Sequence, residues 1–152
     1  MGQFFEYEMT VDSRDVDGWG RCRPSAVLGY LQEAATLAAE DGGFGREKTL
    51  EYHAFWMLAR IWYALDRPLR WSEKVEVRTW HRGGRAATLY RDYDLYVGRE
   101  PVGECVSAWV LARQSDRQLL RLSGIRELEN TGGGDLCKDR KLSKLRLPGD
   151  LR

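Results

Sequence analysis

Asp17, in the polar loop Ser13-Arg14-Asp15-Val16-Asp17-Gly18-Trp19-Gly20, and Glu33, inside an apolar helical run, are the side chains best suited to chemistry in this chain. A carboxylate can draw a proton from water as a general base, or attack an electrophilic carbon itself. Glu33 stands among Leu31, Ala34 and Ala35, and burial there would raise its pKa toward the range that suits a base. The structural readings stand beside these: Asp15 and Asp17 as turn formers, Glu33 as a hydrogen-bonder satisfied across the sheet. His53 and His81 are the only imidazoles, and each reads as a strand-end residue. Cys22, Cys105 and Cys137 are odd in number and widely spaced, so no disulfide framework is implied. With no CxxC and no HxxxH pair, no zinc or other metal site is expected. Cys22 shares the loop with Asp17 but has no histidine near it in spacing, and Cys105 reads as a core thiol.

These residues need elements to hold them. Residues 4–14 alternate as a strand, and Pro24 then opens a helix whose apolar positions recur to about Asp41, before Gly42-Gly43. That helix is about 27 Å long at ~1.5 Å per residue. It is apolar over more than one narrow stripe, so it is expected to be wrapped by other structure. Residues 53–65 are apolar on both alternating faces except at Arg60, which predicts a strand covered on both sides. Residues 73–81 alternate, Gly83-Gly84 reads as a turn into a strand over 86–97, and Gly98 with Pro101 separates that from a strand over 102–113. Strand, long helix, then four strands at hairpin spacing is no βαβ repeat. The expectation is an α+β hotdog fold, an antiparallel sheet wrapped around one long central helix. Its two-faced apolar strand predicts a homodimer.

The 152 residues are 43% apolar, 31% charged and 11% aromatic. That suits one packed domain and excludes a disordered chain. No run approaches the ~18 apolar residues of a membrane span, and MGQFFEYEMT lacks a secretory pattern. A cytoplasmic protein acting at no membrane is expected. Net charge is +1, yet residues 67–91 carry seven basic and two acidic side chains, and residues 138–152 carry six and two. A local basic stretch in a neutral protein suggests a localised acidic partner rather than nucleic acid, although scattered solvated arginines would look the same. Residues 1–125 read as the domain and 126–152 as a basic, linker-like tail, with a flexible Thr131-Gly132-Gly133-Gly134 inside it.

The segments DVDGWGRCRPSAVLGYLQEAATLAAEDGGFG, FWMLARIWYALDRPLRWSEKVEVRTWHRGG, RDYDLY and SAWVLA resemble the first hotdog domain of the acyl-acyl-carrier-protein (acyl-ACP) thioesterases. The resemblance covers about residues 6–125. It implies a tandem pair of hotdog domains that hydrolyses acyl-ACP to fatty acid and carrier thiol, in fatty acid biosynthesis and without a cofactor. In that family the catalytic machinery belongs to the second domain, whose motif has the form DLDVNxHVNNxxYxxWxxE; the tail here is similar to the linker toward it. Laid on this sequence without gaps, the motif's aspartates fall on Asp15 and Asp17 and its helix glutamate on Glu33. Its asparagine falls on Trp19 and its histidine on Arg21. Two acidic positions carry over and the base histidine does not.

The resemblance implies that any thioester hydrolysis by this chain uses Asp17 or Glu33. Substrate contacts are expected from Gln32 beside Glu33, and from Tyr30, Phe55, Trp56, Trp62, Trp80 and Trp109 along an apolar slot. Each buried acyl methylene there contributes about 0.8 kcal/mol. Arg78, Arg82 and Arg85, with Arg67 and Arg70, are the expected docking face for an acidic acyl carrier protein; acyl-CoA is the alternative substrate. The leading expectation is a thioester hydrolase acting as a homodimer that imitates the tandem pair. The alternative is a non-catalytic acyl- or carrier-binding domain, the N-terminal half of a two-domain thioesterase. A hotdog dehydratase is disfavoured, because the Asp/His pair of that chemistry is absent.

Overall fold

The computed structural model describes residues 3–129 and 133–142. The chain runs β1 (Phe5–Thr10), α1 (Pro24–Asp41), α2 (Arg46–Glu51), β2 (Ala54–Leu65), β3 (Lys74–Arg85), β4 (Thr88–Val97), β5 (Glu100–Arg113) and α3 (Arg126–Glu129). The strands form one antiparallel sheet in the order β1-β3-β4-β5-β2. One long helix on a five-stranded antiparallel sheet is the hotdog arrangement. No helix among the described residues is long and apolar enough to cross a membrane.

Pro24 fixes the first turn of α1, where its missing N–H costs nothing, and Gly42 closes the helix by donating to the Ala38 carbonyl. Val27, Leu31, Ala34, Ala35 and Ala38 are buried on the sheet at helical spacing. The first four meet Val75, Val77, Tyr93, Leu95 and Cys105 in the main core. The sheet wraps the long helix as expected, though not all round. The sheet covers one side only, so Gln32, Glu33 and Thr36 are exposed and Leu28 is 37% exposed.

Two strand expectations also change. Residues 13–15 leave the strand for a single 3-10 turn, where the Asp12 side chain accepts the Arg14 amide. Gly83-Gly84 is no hairpin turn. It lies inside β3, at a register shift between His81 and Gly84, with Gly83 at φ +85°. A bulge needs a residue tolerant of positive φ, and glycine supplies one. A Cβ at Gly84 would also lie 2.8 Å from the Leu122 Cβ. The reversal itself falls after Arg85, with Ala86 at φ 52°.

β2 is an edge strand, not one covered on both faces. Met57 is 45% exposed, and Ala59 and Ala64 are exposed. Part of its outer face is covered by the described part of the tail. The Arg140 guanidinium lies 3.8 Å over the Trp62 ring, and Arg60 donates to the Leu142 carbonyl at 2.7 Å. Lys138 pairs with Asp94 at 2.6 Å and Glu104 at 2.9 Å, while its amide donates to Asp92. Residues 137–142 therefore cross the outer face of the sheet as a strap, opposite α1. Ile125 and Leu128 belong to a second core cluster with Phe44, Leu89 and Leu111. The expected flexible residues 131–132, and residues 143–152 of the basic tail, lie outside the described residues.

Candidate functional site

A cavity of about 300 Å³ opens between the C-terminal half of α1 and the concave face of the sheet. Its apolar walls include Ala35, Phe44, Trp56, Leu89, Trp109 and Leu128. The Trp56 indole donates to the Phe44 carbonyl at 3.1 Å, which orients the ring against the segment joining α1 to α2. Phe44 packs edge-on to it, with centroids 5.9 Å apart. A volume near the low end of ~300–1,000 Å³ for small-molecule sites, with mostly apolar walls, suits a short or medium alkyl chain.

The polar lining is unusual. His81 and Arg91 face each other across β3 and β4 as register partners, and both line the cavity. Arg91 is 5% exposed, and its guanidinium donates to the Thr79 hydroxyl at 3.3 Å. Among the described residues Arg91 makes no ion pair. Asp92, its neighbour in sequence, points through the sheet to the opposite face, where it pairs with Arg82 at 2.6 Å. Burial pushes the Arg91 pKa down. Burial, and then the Arg91 charge, hold His81 down at about 4, so its ring is neutral at physiological pH. The Gly83 amide donates to His81 Nδ1 at 3.0 Å, which assigns the ring proton to Nε2.

Beside Arg91 on β5, Ser107 is fully buried. Its hydroxyl is shared with the Tyr93 hydroxyl at 2.7 Å and accepts from the Trp109 indole at 2.8 Å. This network fixes the Trp109 ring on the cavity wall. Among the described residues no group of three or more His, Cys, Asp or Glu is placed to hold a metal ion.

Of the residues singled out in the sequence, Gln32, Phe55, Trp56, His81 and Trp109 line the cavity; Asp17, Glu33, Tyr30 and the expected docking arginines do not. Asp17 Oδ1 accepts the amides of Trp19 and Arg21 at 2.9 and 3.0 Å, and Oδ2 pairs with the Arg21 guanidinium at 3.0 Å. The Arg21 amide foremost, then the Trp19 amide and the Arg21 side chain, hold this carboxyl below its ordinary range. That favours its loop-forming role. Glu33 is exposed rather than buried among Leu31, Ala34 and Ala35, because its helix position faces away from the sheet. The expected burial of Glu33 is corrected accordingly. Tyr30 donates to Asp15 at 2.6 Å, pinning the helix start to the loop, and burial with that bond pushes its pKa up.

Trp80 is turned to the outer face and buried against Gly133, where a Cβ would come within 2.0 Å of the ring. On that same face Arg78 pairs with Glu76 at 2.7 Å and lies over Tyr96, and Arg82 holds Asp92 and the Arg140 carbonyl. Arg85 is exposed at the end of β3. Burial raises the thiol pKa values of Cys22 and Cys105, so neither is an activated nucleophile.

Residues 2–125 match the family model described as the acyl-ACP thioesterase N-terminal domain. An oleoyl-acyl carrier protein thioesterase of Coriandrum sativum is 31% identical over 106 residues, which is 64% of this chain and 28% of that protein. An acyl-ACP thioesterase from Bacteroides thetaiotaomicron superposes with a TM-score of 0.79 at 22% identity, covering 96% of this chain and 60% of that one. The 12:0-ACP thioesterase from Umbellularia californica gives 0.76 at 23% identity, covering 99% and 62%. The chain thus spans under a third of the Coriandrum relative's length.

Proposed function

This chain belongs to the acyl-ACP thioesterase family through its N-terminal-type domain, and from that premise we propose that it serves thioester hydrolysis by holding the acyl chain of a carrier-bound substrate. The cavity under α1 carries this reading: its walls are mostly apolar, its volume suits a medium chain, and it is bounded by the helix and the sheet together. Among the described residues the carboxylates that line it, Glu40 and Glu127, are engaged elsewhere. Glu40 caps α2 through the Arg46 amide at 2.8 Å, and Glu127 lies 3.4 Å from the Lys48 ammonium. The water-activating group therefore comes from outside the cavity, as expected of an acyl-binding half in a two-domain thioesterase.

The second reading is hydrolysis by this chain itself. Its support is the position of Glu33 on the exposed face of α1, next to Gln32, which lines the cavity. A carboxylate from a second copy or a second domain could meet the cavity mouth from that side. A thiol-release assay on acyl-ACP and acyl-CoA, run beside a direct measurement of acyl binding, separates the two. Binding without thiol release supports the acyl-binding reading. Release that falls about 10²–10⁴-fold in Glu33→Gln or Asp17→Asn would assign the chemistry here.

The homodimer belongs to the same proposal. The outer edge of β2, twelve residues long, has no strand partner among the described residues. Exposed edges of this kind recruit another strand. Pairing there would also cover Met57 and shield the apolar faces of β2.

A further inference from the structure

Arg91 is a charge without a counter-charge. It sits on β4 in the middle of the sheet, 5% exposed, with one neutral hydroxyl as its side-chain partner. Removing a guanidinium from water without pairing it is costly, and such groups are paired in most proteins. Its register partner on β3, His81, brings a second donor, Nε2–H, with no acceptor among the described residues. Its register partner on β5, Ser107, is occupied by Tyr93 and Trp109. Two donors therefore meet on the sheet side of a mostly apolar cavity; its other charged lining, Glu40, Arg46 and Glu127, lies on the helices, and the two carboxylates have partners of their own.

We propose that this cavity binds a free medium-chain fatty acid, its carboxylate paired with Arg91 and accepting from His81 Nε2, its alkyl chain along Phe44, Trp56, Leu89 and Leu128. The planar guanidinium matches a carboxylate with two parallel N–H···O bonds. A thioester carbonyl is neutral and does not offset the buried charge, so the floor distinguishes a free acid from an esterified chain. The apolar walls and the cavity volume of about 300 Å³ select an alkyl carboxylate over a small inorganic anion. The inference rests on the acyl-binding reading above and adds charge selectivity to it.

Calorimetric titration of the whole chain with octanoate and with octanol, near neutral pH, tests this directly. Octanoate is expected to bind at least about tenfold more tightly than octanol, the margin of a charge-assisted hydrogen bond. Arg91→Met is expected to abolish that preference while octanol binding persists. Arg91→Lys, which keeps the charge and loses the planar fork, should retain part of it. Removing an unpaired buried charge should leave the melting temperature of Arg91→Met unchanged or raised, so loss of preference is not mistaken for unfolding. Octanol binding as tightly as octanoate would overturn the inference and leave the acyl-binding reading standing. Absence of binding by either ligand would remove both.

Discussion

At the residue scale, His81 and Asp17 show how placement changes what a side chain can do. The ordinary histidine pKa is near 6.5, and burial beside Arg91 takes His81 to about 4. Between those values the unfolded chain binds a proton that the folded chain refuses. This contribution to stability is therefore complete above about pH 6.5 and lost as pH falls toward 4. Denaturant unfolding across that window should show an acid-side decline of roughly 2 kcal/mol, after discounting for solvent at the cavity mouth. His81→Gln should flatten it. Asp17 shows the opposite case. Its oxygens are engaged by two amides and the Arg21 guanidinium, so Asp17→Ala should lower the melting temperature and leave acyl binding unchanged. A variant with normal melting and lost thiol release would reverse that assignment.

At the scale of elements, the sheet is held from two sides by different forces. On the concave side α1 contributes small apolar residues, Ala34, Ala35 and Ala38, that let helix and sheet approach closely. On the outer side the strap at 137–142 lies on an acidic row: the Lys138 ammonium pairs with Asp94 and Glu104, and its amide donates to Asp92. Arg82 belongs to that construction. Its guanidinium pairs with the fully buried Asp92 carboxylate and reaches the Arg140 carbonyl. Arg82→Met should lower unfolding free energy by about 2–4 kcal/mol, because Asp92 would keep its burial and lose its counter-charge. Denaturant titration measures it. A loss under ~0.5 kcal/mol would return Arg82 to the class of solvated surface arginines.

For the whole molecule, the unpaired β2 edge and the exposed side of α1 are surfaces that a second hotdog would cover. Light scattering at micromolar concentration should give twice the 17.5 kDa of one chain. A particle of single-chain mass would sink the homodimer. The basic stretch enters at the same scale. Arg78 and Arg82 are tied to acidic neighbours on the outer face and Arg67 to Glu73, which leaves Arg70 and Arg85 as the exposed members of the expected docking set. Arg85→Glu should slow association with an acyl carrier protein at low salt and leave the melting temperature unchanged. Stopped-flow rates that do not change would remove Arg85 from that face.

The order of α1 and the five strands was legible in the sequence because each has a local cause, whereas the short helices α2 and α3 left no such signal. Pro24 opens α1, Gly42 ends it, period-two alternation marks the start of β3, and Gly98 with Pro101 separates β4 from β5. The aromatic slot was half legible: Trp56 and Trp109 reach the cavity, whereas Trp62 and Trp80 face outward. Strand parity separates them only once the register is known, and a single bulge reverses it. His81 and Arg91 were missed as cavity residues because nothing local joins them; they become neighbours only when β3 pairs with β4. Their meeting at the cavity floor is a product of sheet register. The exposure of Glu33 has a similar origin. Hydrophobic periodicity marks an apolar helix, but only the finished sheet decides which side of it is covered. Local patterning specifies elements because it acts over a few residues, while charge pairing and burial depend on which strand lies beside which.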